Sequence, residues 1–232
     1  MHLLIVGNGR MGRAIAALAE QRGHTVHACI GSEANEGGRA LAAERLEGVD
    51  VALEFTTPHA AAQNVRRLIE AGIATVSGTT GWEAELAEVK DLVVARHGAL
   101  LYSTNFSVGV HLFLRAAREL GRQLTGRAEF GAFILEEHHA AKRDAPSGTA
   151  LLLKDRLGEV DRGRDFPITS VRAGTTPGTH IVAYDGPFER ITLSHVARSR
   201  EGFAAGALAA AEWLPGRSGV YSIEDMLFGE SR

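Results

Sequence analysis

The first hundred residues alternate short, continuous apolar runs with stretches of helical periodicity. Leu3-Leu4-Ile5-Val6 reads as a buried strand, and Met11 to Gln21 as a helix stopped by Gly23. Further strands are expected at Thr25–Ile30, Val49–Phe55, Ile73–Ser77 and Ala99–Tyr102. Helices are expected at His59–Ala71 and Trp82–Arg96, closed by Gly72 and Gly98. Strands without polar alternation, spaced by helices, indicate a parallel sheet covered on both faces.

Beyond Val108 the rhythm changes. Val108–Leu124 reads as a long helix and Ala128–Glu137 as a long strand, followed by a polar loop and a short helix at Thr149–Leu157. Strands follow near Ser170–Ala173, His180–Tyr184 and Glu189–Ala197, then a helix at Phe203–Leu214 and a short tail. A run of strands with few helices predicts an open, mixed or antiparallel sheet. The fold class is therefore α/β: a Rossmann-type parallel sheet, then a smaller α+β domain beginning near Gly109. Periodicity leaves open which domain the last helix joins.

Composition narrows the function classes. Lys+Arg total 25 against 28 Asp+Glu, a net charge of −3, which argues against a nucleic-acid partner held by its phosphates. Cys29 is the single cysteine, which excludes an internal disulfide framework and a cysteine-based zinc site and fits a reducing compartment. No apolar run approaches the roughly 18 residues of a membrane span, and the apolar start Leu3–Val6 stops at Gly7 without a basic lead. A soluble, cytoplasmic protein is expected. The 27 glycines in 232 residues exceed the usual share of roughly 7%, so they should fall at turns or against a ligand.

One group of glycines has a specific reading. Gly7-Asn8-Gly9-Arg10-Met11-Gly12 is a G-x-G-x-x-G directly after a buried strand and at the start of a helix. There the first glycine makes the turn, the second admits a pyrophosphate, and the third lets helix and strand pack closely. The acidic residue expected about 20 positions on has one candidate, Glu33; a ribose contact and a solvated loop carboxylate both fit it. No arginine follows that strand before Arg39, so a 2′-phosphate has no obvious partner; NADH is favoured and NADPH stays open. The next three strands end in Phe55-Thr56-Thr57-Pro58, Gly78-Thr79-Thr80-Gly81 and Ser103-Thr104-Asn105-Phe106. Ligands bind outside such carboxyl ends, and these hydroxyls suit ribose and amide groups as well as ordinary caps.

The densest chemistry lies in Glu136 to Ala150. Pro146-Ser147-Gly148-Thr149 reads as a helix entry with Ser147 as N-cap, and the amides of Gly148 and Thr149 suit a carboxylate. Lys142 adds positive charge, and His138 and His139 supply a proton donor effective near neutral pH. Adjacent histidines in an extended chain point to opposite sides, so no metal site is expected from that pair.

The segment Glu-x-His-His-x-x-Lys-x-Asp-Ala-Pro-Ser-Gly-Thr-Ala, Glu136 to Ala150, resembles the signature of the dihydrodipicolinate (4-hydroxy-tetrahydrodipicolinate) reductases of lysine and diaminopimelate biosynthesis. The similarity extends through Glu54-Phe55-Thr56-x-Pro58, Gly78–Gly81, Asn105–Val110, Val171–Gly174, Gly178-x-His180, Glu189 to His195, Phe203-Ala204-x-Gly206-Ala207 and Gly219–Ser222. The resemblance implies His138 as acid/base, with Lys142 as its partner and proton donor. It implies His139, Ser147, Gly148 and Thr149 as carboxylate contacts. Gly7–Gly12, Gly78–Thr80 and Ser103–Phe106 match cofactor contacts. It implies a dinucleotide-binding domain of residues 1–108 and 204–232, a substrate-binding and oligomerisation domain of 109–203, and a homotetramer.

This sequence also departs from that pattern. Its glycine loop is one residue shorter than in many members, the acid-plus-Arg pair after the second strand is not evident, and Thr57 stands where an Arg is often found. The compact stretch Gly158–Pro167 reads as a trimmed loop. Expected chemistry is NADH- or NADPH-dependent reduction of a cyclic imine dicarboxylate after loss of water. An oxidoreductase acting on a different imine or amino acid, and a cofactor-binding regulator without turnover, are the competing readings.

Overall fold

The N-terminal apolar runs form parallel strands in a computed structural model that describes residues 1–229. In chain order they are β1 (His2–Val6), α1 (Arg10–Gln21), β2 (Thr25–Ile30), β3 (Val51–Glu54), α2 (Pro58–Glu70), β4 (Ala74–Ser77), α3 (Leu86–Ala95) and β5 (Ala99–Tyr102). The expected helix from Trp82 is shorter than its pattern suggested. A 3₁₀ turn at Glu83–Glu85 precedes α3, and Trp82 is a buried anchor whose indole N–H donates to the Thr79 carbonyl at 2.8 Å.

The next elements are α4 (Val108–Leu124), β6 (Gly131–His138), α5 (Gly148–Val160), β7 (Ile168–Arg172), β8 (Gly178–Asp185) and β9 (Arg190–Ala197). They form a sheet of order β7-β6-β8-β9, with β6 and β7 parallel and the other pairs antiparallel. Val110, Phe113 and Leu114 of α4 and Leu153 and Leu157 of α5 pack on Ile134, Val182 and Tyr184 of one sheet face. β6 begins at Gly131 rather than Ala128, because 124–130 is claimed by Arg164. Its guanidinium binds the carbonyls of Leu124 at 2.9 Å, Arg127 at 3.1 Å and Phe130, and pairs with Asp161 at 2.6 Å. α5 likewise runs to Val160, so part of Gly158–Pro167 is helix, not trimmed loop.

The chain ends with α6 (Glu201–Trp213), β10 (Gly219–Tyr221) and α7 (Ile223–Phe228). α6 supplies Ala204, Ala207, Leu208, Ala210 and Ala211 to the same core as Leu3, Ile5, Val51, Leu53 and Leu101. β10 pairs in parallel with β5 and completes a sheet of order β10-β5-β4-β3-β1-β2. β10 and α7 lie in what reads from sequence as a tail. α7 is entered through a capping box, with Ser222 accepting from the Asp225 amide and the Asp225 carboxylate accepting from the Ser222 amide. The chain thus divides into one compact unit of Met1–Ser107 with the chain from Phe203 on, and a second of Val108–Gly202.

Candidate functional site

In the first unit, the β1–α1 turn is shaped by contacts that leave no room for side chains. Gly7 has a positive φ of 112°, and a Cβ there would lie 2.1 Å from the Phe55 carbonyl oxygen. A Cβ at Gly12 would lie 1.8 Å from the Gly7 oxygen, so helix and turn touch through backbone. Gly9 is different: nothing stands within 4 Å of its missing side chain. Gly9 is also the N-cap of α1 and carries no side-chain cap. Space over the second glycine and amides at an uncapped helix start fit a pyrophosphate.

Beside this turn lies a cavity of about 430 Å³ lined by Gly7, Asn8, Gly9, Ser32, Asn35, Phe55, Thr56 and Thr57 among others. Its far wall, Gly31 to Gly38, follows β2. Glu33 is exposed and lies outside that lining, so the wall offers Ser32 and Asn35 in its place. Arg39 folds back on the same loop, donating to the carbonyls of Glu33 at 3.0 Å and Ala34 at 3.4 Å.

The ends of β3, β4 and β5 lie side by side, and the Thr56, Thr79 and Ser103 hydroxyls there are hydrogen-bonded within the chain. The fully buried Glu54 carboxylate accepts hydrogen bonds from Ser77 at 2.8 Å, Thr79 at 3.1 Å and the Thr56 hydroxyl. Thr79 Oγ1 also accepts from the Thr56 amide at 2.8 Å, and Ser103 Oγ donates to the Asn105 carbonyl at 2.7 Å. The Thr79 and Ser103 hydroxyl protons thus serve a carboxylate and a carbonyl within the chain, which leaves their oxygens as acceptors towards a ribose or an amide. Backbone groups here are engaged too: the Gly78 amide donates to the Glu54 carbonyl at 2.9 Å and the Ser103 amide to the Ser77 carbonyl at 3.2 Å. Phe106, 2% exposed, sets this edge by packing its ring 5.6 Å from Phe55. A Cβ at Gly206 would lie 1.8 Å from the Phe106 oxygen, so α6 approaches this segment closely.

In the second unit, β6 alternates Glu136 and His138 onto its buried face, while His139 begins the loop on the other side. His138 Nδ1 meets Glu136 Oε2. Arg172 of β7 grips the same carboxylate twice, at 3.0 Å to Oε2 and 2.6 Å to Oε1, and donates to the Asp144 carbonyl at 2.6 Å. The Ser147 amide reaches Glu136 Oε1 at 3.3 Å. Burial alone would raise the Glu136 carboxyl, but hydrogen bonds from Arg172, Ser170 and His138 outweigh it and hold the pKa down to about 2. Burial lowers His138 despite the opposing pull of Glu136.

Ser147 caps α5 as expected, its hydroxyl accepting from the Ala150 amide at 3.2 Å. The backbone ladder starts with Leu151 N–H on the Ser147 carbonyl, so the Gly148 and Thr149 amides precede it. Ser147 Oγ also meets His180 Nε2 at 3.0 Å, and the His180 ring stands edge-on to His138 with centroids 5.2 Å apart. Burial, then the neighbouring His138, pushes His180 down to about 4, so it is neutral near pH 7. Lys142 is held by Asp144 at 2.7 and 2.8 Å. Its ammonium thus stays a fixed, partly exposed positive charge beside this cluster.

The structure thus gathers His138, Lys142, Ser147, Gly148 and Thr149 around one helix start. It adds Glu136, Arg172 and His180, to which the residue pattern assigned no role. Period-two alternation places Glu136 on the His138 face, and that signal was available. The Arg172 and His180 contacts arise from strand pairing. Among the described residues, Glu136, His138 and His180 bring metal-capable atoms within 4.8 Å of one another. Both Glu136 oxygens are engaged by the Arg172 guanidinium, a cation already set against that carboxylate. Among the described residues, no helix is long and apolar enough to cross a membrane.

Comparison with known proteins agrees with this layout. The family models for the N-terminus and C-terminus of dihydrodipicolinate reductase match residues 1–106 and 109–227. A 4-hydroxy-tetrahydrodipicolinate reductase of Christiangramia forsetii is 33% identical over 98% of both chains. One of Rhodopseudomonas palustris is 37% identical, covering 98% of this chain and 97% of its own. The solved structure of a dipicolinate-bound dihydrodipicolinate reductase from Paenisporosarcina sp. TG-14 has the same fold, with a TM-score of 0.79 at 22% identity over 98% of this chain and 99% of its own. With both halves of its length matched and its signature segment assembled around a helix start, this chain belongs to the dihydrodipicolinate reductase family of oxidoreductases.

Proposed function

We propose that the chain reduces 4-hydroxy-tetrahydrodipicolinate to tetrahydrodipicolinate, with loss of water and with NADH or NADPH as reductant, in lysine and diaminopimelate synthesis. The observation that carries this reading is that Glu136 joins His138 to the Ser147 amide at the helix start, with the Lys142 charge acting on the same histidine. A dicarboxylate substrate suits that set. One carboxylate lies on the Gly148 and Thr149 amides with the Ser147 hydroxyl and His139, and Lys142 adds charge.

The Gly7–Gly12 turn would hold the dinucleotide through its backbone, with Phe55 and the segments Gly78–Thr80 and Ser103–Phe106 beside it. When bound, the reduced nicotinamide supplies a hydride. Departure of the 4-hydroxyl as water leaves a conjugated cyclic imine; addition of one hydride and one proton completes the reduction. The chain's task is the proton. His138, with Lys142, delivers it to the ring carbon next to the one that accepts hydride. The fixed positive charge of Lys142 and the helix amides stabilise the negative charge developing in the transition state.

Residues 1–108 and 204–232 are proposed as the dinucleotide-binding domain. Residues 109–203 are proposed to bind substrate and to build a homotetramer through the more exposed sheet face, which carries Phe133, Leu135, Thr192 and Val196. A cytoplasmic setting fits the single free Cys29.

The test couples the chain to the synthase that forms the unstable substrate and follows oxidation of NADH and NADPH in separate reactions. Oxidation that depends on the synthase product is expected. Its absence with both nucleotides would overturn the reading and favour a cofactor-binding regulator.

A further inference from the structure

His138 has two ring nitrogens, and proton delivery requires the correct one to face the substrate in the correct tautomer. Nδ1 is directed at the Glu136 carboxylate. Glu136 is fully buried, and an ionised carboxylate only accepts hydrogen bonds, so the Nδ1 position must carry the proton. Nε2 faces the other way, towards Gly178 of β8, where a Cβ would lie 2.9 Å from it. The absent side chain keeps that nitrogen clear. Glu136 itself has little freedom, because Arg172 grips both its oxygens from β7 and the Ser147 amide touches one.

We infer that Glu136, clamped by Arg172, is a positioning residue that fixes the tautomer and ring orientation of His138, so that Nε2 is the nitrogen that exchanges the proton with substrate. The inference rests on the reading of His138 as acid. No bond changes at Glu136: the Nδ1 proton stays in place while Nε2 gives its proton to the substrate carbon and regains one from solvent. Arg172 is coupled to the same loop through the Asp144 carbonyl. One clamp therefore sets His138 and steadies the segment that also holds Lys142.

The charged and titratable groups facing His138 are Glu136 on its own strand, Arg172 on β7, His180 on β8 and Lys142 with Asp144 on the following loop. His195 lies one strand further on, in register with His180. Of these, Glu136 favours the imidazolium, while Lys142 and Arg172 oppose it. Removing the Glu136 charge must lower the His138 pKa further. The limb on which activity declines as His138 loses its proton then moves to lower pH.

The experiment measures kcat, KM and pH profiles for Glu136→Gln, His138→Ala and the double variant, with ¹⁵N NMR of the His138 ring in the wild-type chain. Expected are a wild-type ring protonated at Nδ1 and bare at Nε2 above its pKa, and a Glu136→Gln kcat about 10²-fold lower, within the roughly 10²–10⁴-fold of general acid catalysis. KM should move far less than kcat, the pH limb should shift downward, and Glu136→Gln should cost nothing further once His138 is alanine. If Glu136→Gln does not fold because Arg172 is left unpaired, Glu136→Gln with Arg172→Met replaces it, and the NMR measurement needs no variant. An Nε2-protonated wild-type ring, or a folded Glu136 variant with unchanged kcat and pH limb, overturns the inference. Near-wild-type turnover in folded His138→Ala instead overturns the acid assignment beneath it.

Discussion

The Ser77 hydroxyl donates a 2.8 Å hydrogen bond to the Glu54 carboxylate, and both residues are fully buried at adjacent strand ends. With the Thr56 and Thr79 hydroxyls on the same carboxylate, Glu54 organises the edge where β3 and β4 end. Glu54→Gln turns one acceptor oxygen into a donor NH₂, so at least one buried hydroxyl loses the acceptor for its proton and must turn to accept or go unsatisfied. A buried polar group left unsatisfied costs about 1–3 kcal/mol. Urea unfolding should show a lower midpoint by that amount, and dinucleotide affinity should fall with it. An unchanged midpoint would show that the hydroxyls re-pair freely and that Glu54 does not organise the edge.

The parallel half of the fold was legible because β1 and β3 are buried on both faces: Leu3, Ile5, Val51 and Leu53 enter one core and Leu4, Val6 and Ala52 another, which makes unbroken apolar runs. β10 was not, because Gly219, Val220 and Tyr221 are only partly buried and too few to set up a pattern. The site divides in the same way. Ser147 was readable as a cap from Pro-Ser-Gly-Thr, a local signal. The Arg172–Glu136 clamp spans 36 residues and depends on which strands pair, information that no local period carries. At Glu33 the spacing fits a ribose contact and a solvated carboxylate alike, and the residue is exposed and outside the cavity lining, a position set by the turn after β2 that no local period carries.

The glycines of the first turn should separate binding from folding. Gly9 has open space where its side chain would be, whereas a Cβ at Gly12 collides with the Gly7 carbonyl. Gly9→Ala is expected to keep the wild-type unfolding midpoint and to weaken NADH and NADPH binding, because its methyl occupies the pyrophosphate's approach. Gly12→Ala should lose about 1–3 kcal/mol of stability through overpacking. Calorimetric titration alongside thermal unfolding reads both effects. Full nucleotide affinity in Gly9→Ala would remove the pyrophosphate from this turn.

His138→Ala and Lys142→Ala should each lower turnover by about 10²–10⁴-fold with folding intact. Lys142→Arg is the informative companion. It keeps the charge beside Asp144 but a guanidinium does not give up its proton. If Lys142 acts only as fixed charge, the arginine variant recovers most of the activity; if it feeds protons to His138, the variant stays slow. Circular dichroism confirms the fold, and steady-state kinetics with the coupled synthase distinguishes the two roles.

His180 predicts an unusually early acid weakening of the native state. Its pKa is pushed down to about 4 from an ordinary 6.5, first by burial and then by His138. Above pH 6.5 neither folded nor unfolded chain protonates it, and below pH 4 both do. Between these limits the unfolded chain binds a proton that the native chain refuses, so the unfolded state gains as pH falls. Stability should therefore decline from about pH 6.5, with His180 contributing a slope approaching 1.4 kcal/mol per pH unit. His138 and His195, also lowered by burial, add in the same direction. Glu136 works at lower pH. Held at about 2 against a usual 4.5, it contributes stability that is lost as pH falls from 4.5 towards 2. Urea midpoints measured across pH 7 to 4 should show the histidine slope, and His180→Gln should flatten it while lowering stability at pH 7 through the altered contact with Ser147. A variant curve parallel to wild type over that range would mean that His180 is protonated as readily in the native chain as in the unfolded one.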